Sequence, residues 1–170
     1  MNRQQLIRLV LEDYQHLDHN PRKKLHAIAR DFGLEIYIEK LVGSCGGLLW
    51  KILNRWCIVL NSQVPTHEQT FAFAHELAHF VLHQSMADQL SYFPEQTESL
   101  ERQANQLALK ILLPKRALLP LCNPGSSIHQ IASNLTLPSW VVRERLTHLR
   151  HPLRNSPSQE SSPHLVKQSK

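Results

Sequence analysis

At 170 residues and 19.6 kDa the chain suits one domain with at most an appendage, and 42% hydrophobic against 19% charged residues excludes global disorder. A net charge of +5 suggests an anionic partner until it is located: residues 150–170 hold four basic residues and one acid, leaving 15 basic against 13 acidic elsewhere. The 11 histidines are the less ordinary number and make a metal site worth seeking.

Three cysteines, with no C-x-x-C pair, argue against a disulfide framework and for a reducing compartment. Glu12 and Asp13 interrupt the N-terminal apolar stretch before a signal sequence can form, and no run approaches the roughly 18 residues of a membrane span. The expectation is a soluble, cytoplasmic protein.

In chain order, Leu6, Val10 and Tyr14 fall four apart and predict a helix over 3–14. A second helix over 22–32 opens after Asn20-Pro21 and is capped by Gly33. Leu34–Ile38 reads as a strand. Gly46–Ile52, a turn at Leu53-Asn54-Arg55 and Trp56–Leu60 read as an antiparallel hairpin. Thr66 with Gln69 predicts a capping box, and the apolar run behind it a buried helix to about His83. Residues 84–96 lack periodicity and read as a loop. A helix over 97–113 is stopped by Pro114, and two short helices within 128–149 have helix-turn-helix spacing. Ser, Pro and Gln dominate from Pro152, which predicts a disordered tail. The domain reading is 1–120 as core, 121–150 as a helical element packed on it, and 151–170 as tail.

The long buried helix carries His75-Glu76-Leu77-Ala78-His79, an H-E-x-x-H. Four residues turn an α-helix about 400°, so both imidazoles share one face and can ligate a single Zn²⁺. Glu76, one residue on, reaches a water activated by the metal and can act as general base. A chain of this composition contains the pattern by chance about 4% of the time, but the flanking Phe71–Ala74 and Phe80–Leu82 make unpartnered polar groups costly there.

Zinc needs a third protein ligand. His83 lies about 12 Å beyond His75 along the axis and reads as a packing or second-face histidine. Leu82 and Ser85 exclude the metzincin extension. Glu95, Glu98 and Glu101 are the candidates. Glu101 is the best of them, because Asn105, one turn further on, can hold a ligating imidazole by its other ring nitrogen.

These segments, FAFAHELAHFVLH over 71–83, E-x-x-A-N-x-x-A from Glu101 and Leu112-Leu113-Pro114, resemble the ImmA/IrrE family of small metallopeptidases over residues 20–150. The resemblance implies an α+β, zincin-like core with a small antiparallel sheet, an active-site helix, a glutamate-bearing second helix and a C-terminal helix-turn-helix-like element. It places zinc on His75, His79 and Glu101 and catalysis on Glu76. It also implies an edge strand for extended substrate, either Trp56–Leu60 (Trp56, Ile58, Leu60) or its neighbour. The implied activity is endoproteolysis of a helix-turn-helix repressor. Leu107, where an aromatic is common, and Pro138, where a Ser cap is common, depart from the pattern.

Other features are weaker. Arg143, Arg145, His148 and Arg150 on the last helix suggest DNA reading, but a barely basic body favours simple packing. Tyr92 is a candidate for oxyanion stabilisation or for loop packing. A non-catalytic zinc-containing binding module and a DNA-binding regulator are the alternatives to a peptidase.

Overall fold

The computed structural model describes residues 1–43, 45–84 and 94–155, without the side chains of 94–97, 154 and 155. Tyr92, the Glu95 side chain and the expected tail beyond 155 lie outside the described residues. Helices α1 (Arg3–Glu12) and α2 (Pro21–Asp31) precede strands β1 (Glu35–Glu39), β2 (Gly47–Ile52) and β3 (Arg55–Asn61). Then come α3 (Thr66–His83), α4 (Pro94–Leu112), the single turn α5 (Lys115–Leu118), α6 (Ile128–Leu135) and α7 (Ser139–His148). The architecture is α+β, with seven α-helices and a three-stranded sheet among the described residues. None of these helices is long and apolar enough to cross a membrane.

Local chemistry explains most boundaries. Asn2 and Ser127 cap α1 and α6 with complete capping boxes. Gly33, at φ +69°, ends α2 in a Schellman arrangement: its N–H donates to Arg30 O, and Leu34 N–H to Ala29 O. The box expected at Thr66 and Gln69 does not form. Pro65 is the N-cap, and Gln69 Nε2 instead donates to Asn61 O and Val64 O, tying α3 to the loop before it.

The sheet is mixed rather than antiparallel. The β2–β3 hairpin forms as expected, but β1 pairs parallel to β3, giving the order β1-β3-β2. β3 takes the centre because Ile58 and Leu60 are fully buried and need cover on both sides. Ile36, Leu49 and Trp56 pack against the same core, and Trp56 meets Phe80 of α3 edge-on with ring centres 5.7 Å apart.

Helix α3 is apolar on nearly every face and runs through the core. Its main partner is α4, and solvent-free Ala74, Ala78, Ala104 and Ala108 give both helices the small side chains that allow close approach. Pro114 stops α4 and leaves its last carbonyls without helical donors. Two buried cations fill that need. Lys24 Nζ donates to Ile111 O at 3.0 Å, and Arg145 Nε to Leu113 O at 2.8 Å.

Lys24 is 1% exposed and sits 2.6 Å from Asp18, which also accepts from Arg116 at 2.8 Å. Burial lowers the Lys24 pKa even with Asp18 beside it. Asp18→Asn leaves that ammonium without its counter-charge and should cost about 3–5 kcal/mol in urea unfolding. A loss below about 1 kcal/mol would show that Asp18 does not sustain the buried charge.

Candidate metal centre

The H-E-x-x-H lies mid-helix on α3, and Glu101 about two turns into α4. His75 pairs with Asn105 and His79 with Glu101, so the two helices run antiparallel at this level. Three side chains converge. His75 Nε2 and His79 Nε2 are 3.0 Å apart, and Glu101 places Oε2 3.1 Å from His75 Nε2 and Oε1 3.1 Å from His79 Nε2. A tetrahedral ion with bonds of about 2.0–2.1 Å has ligand atoms about 3.3 Å apart, so the set fits one metal ion.

The ring nitrogens facing away from that point are also held. Asn105 Oδ1 lies 2.9 Å from His75 Nδ1, which commits the Nδ1–H and leaves the Nε2 lone pair facing inward. Burial alone would raise the Glu101 carboxyl, but its hydrogen bonds with His75 and His79 hold it well below the usual carboxylate range. Glu98 is exposed and faces Arg102 at 3.8 Å; it takes no part in the cluster.

Glu76 does not point at the convergence with a ligand atom and remains partly open to solvent. Burial pushes its carboxyl upward, opposed by His75, His79 and a hydrogen bond from the Leu49 backbone. β2 therefore lies directly against this part of α3. The approach needs glycine: a Cβ at Gly47 would come within 3.2 Å of Glu76 Cγ, and one at Gly46 within 3.1 Å of Ala72 Cβ.

Two contributions are invisible in the motif. Asn61 is 1% exposed, and its Nδ2 donates to Cys45 O at 2.8 Å, pinning the chain that delivers Gly46-Gly47 to the helix. Only the polar residue closing an apolar strand hinted at this. His83 is the other. It shares a face with His79, four residues back, and its Nδ1 lies 3.1 Å from His79 Nδ1, so it is not on a second face. Burial, with His79 next to it, pushes the His83 imidazole down to about 4.

Of the two strands expected to offer an edge, Trp56–Leu60 does not and its neighbour does. Ile58 and Leu60 are fully buried and Trp56 leans on Phe80, all on the central strand, so none of the three can present an edge. The neighbour β2 is the edge strand next to Glu76. On α7, Arg145 is spent on Leu113 O and His148 faces Glu144 at 3.2 Å, which removes two of the four groups that suggested DNA reading. Trp140 of the same helix meets Phe71 edge-on at 4.5 Å, beside His75.

Gly47→Ala should force Glu76 aside or lift β2, with a loss of about 1–3 kcal/mol in chemical unfolding. An unchanged midpoint would contradict the close approach.

Residues 29–147 match the family profile of the IrrE N-terminal-like domain, peptidase family M78. The chain is also 32% identical to Metallopeptidase ImmA of Bacillus subtilis (strain 168) over 123 residues, 68% of this chain and 71% of that protein. Such a family implies a metal ion and a protein substrate, and His75, His79 and Glu101 form a group able to hold the ion. With 119 residues inside the profile and two thirds of both chains aligned, this chain belongs to the ImmA/IrrE family of metallopeptidases.

Proposed function

We propose that the chain is a cytoplasmic zinc-dependent endopeptidase that cleaves a helix-turn-helix transcriptional repressor and so relieves repression. The observation that carries the chemistry is the convergence of His75, His79 and Glu101 donor atoms within about 3 Å, with Glu76 adjacent on the same helix. Two imidazoles and one carboxylate are a donor set that suits zinc and leaves a position open for substrate or water. When bound, zinc supplies Lewis-acid polarisation and makes water acidic enough to yield a nucleophile near neutral pH.

The protein's own groups do the proton work. Glu76 accepts a proton as the water oxygen adds to the peptide carbonyl carbon. It returns that proton to the amide nitrogen as the C–N bond breaks, so the leaving amine departs neutral. The upward push of burial on its carboxyl makes it a stronger base than an exposed glutamate, and the Leu49 backbone holds it in place. An extended substrate would pair with β2, whose outer edge has no strand partner among the described residues. The resemblance to ImmA/IrrE peptidases supports a repressor as that substrate.

In this reading 1–120 is the peptidase core and 121–150 a helical element packed on it. The use of Arg145 as a cap for α4 supports packing over DNA reading.

Glu76→Gln is the test, on the full chain with a purified helix-turn-helix repressor from the same organism. Cleavage should fall by about 10²–10⁴-fold while one zinc per chain is retained. A glutamine variant that cuts as well as wild type would overturn the mechanism. A wild type that binds the repressor and never cuts it would make the chain a binding module.

A further inference from the structure

His83 stands out once the ligands and the base are assigned. It is 2% exposed, at the end of an apolar run (Phe80, Val81, Leu82) where leucine would fill the space without a polar atom. Its Nδ1 meets the Nδ1 of His79 at 3.1 Å. Gln103 offers the ring a hydrogen-bonding side chain, but Nε2 makes no bond of good geometry with it. A buried ring nitrogen so poorly satisfied is a cost, and packing alone does not explain why it is borne.

We propose that His83 is a positioning residue: it accepts the Nδ1–H of His79 and thereby fixes the tautomer and ring angle in which His79 Nε2 faces Glu101 and His75. The inference rests on the metal-centre reading above. One proton must lie between two Nδ1 atoms 3.1 Å apart, and the inward-facing Nε2 of His79 must be bare to bind a metal. The proton is therefore on His79 Nδ1, and His83 carries its own on Nε2, the poorly satisfied atom. Asn105 does the same for His75 through an amide oxygen at 2.9 Å. The two ligating histidines thus have different kinds of support. That of His75 comes from α4, so it depends on helix packing. That of His79 comes from its own helix one turn on, so it is present as soon as α3 forms.

The substitutions separate hydrogen bonding from packing. Asparagine places its Oδ1 where the His83 Nδ1 stands, whereas leucine fills the space and accepts nothing. Zinc affinity of the full-length protein is read by competition with a chromophoric chelator, and ligand geometry by the visible spectrum of the cobalt-loaded form. His83→Leu should weaken zinc binding by about 10–100-fold and alter the cobalt bands, while His83→Asn keeps most of the affinity and a near-native spectrum. If the leucine variant does not fold, His83→Gln, whose amide takes the Nε2 place instead, makes the same comparison with asparagine. Equal affinity in wild type and His83→Leu would overturn the inference while leaving the metal centre standing. Equal losses in the asparagine variant and its comparator would make His83 a packing residue and overturn it too. A wild type that takes up no stoichiometric zinc would remove the metal centre itself, and this inference with it.

Discussion

Two imidazole nitrogens and a carboxylate do not rest 3.0–3.1 Å apart unless two helices are held at one distance and one register. Everything else in this protein serves that constraint. Small residues at Ala74, Ala78, Ala104 and Ala108 allow the approach of α3 and α4. Register is held by the pairings of His75 with Asn105 and His79 with Glu101, each of which is lost if either helix slides a turn. The far end of α4 is anchored by Lys24 on Ile111 O and Arg145 on Leu113 O, two cations drawn from opposite ends of the chain. The N-terminal and C-terminal helices thus brace the helix that brings Glu101.

A second support comes from the sheet. Gly46-Gly47 brings β2 against α3 at the level of Glu76, and Asn61 pins the incoming chain to the start of the same helix. Glu76, the edge strand and the helix are therefore one packed unit, and a methyl group at position 47 is enough to disturb it. Trp140 packs edge-on against Phe71, which lies beside His75, so α7 comes close to the metal centre.

The elements were largely legible in the sequence, and their partners much less so. The apolar run after Thr66 marks α3 to its last residue, and Pro114 marks the end of α4, because periodicity and proline act locally. The hairpin was legible for the same reason. The parallel pairing of β1 was not: a five-residue strand shows which residues are apolar but not which neighbour covers its edge. The sequence groups Arg145 with the basic residues that suggest DNA reading because its acceptor, Leu113 O, is 32 residues away. His83 was judged by its distance from His75 as a ligand, which hid its contact with His79. Glu101 and Asn105 were legible only as a pair, since a lone glutamate on a helix is ordinarily a solvated one.

The proposed chemistry depends on one metal ion held by His75, His79 and Glu101, a group able to bind one. X-ray absorption on the zinc-loaded full-length protein addresses it most directly, with Glu101→Ala measured beside it. The expected result is one zinc per chain with two imidazoles among light-atom neighbours at about 2.0–2.1 Å, and loss of tight binding in the alanine variant. A sulfur shell at about 2.3 Å, or unchanged affinity without Glu101, would contradict it.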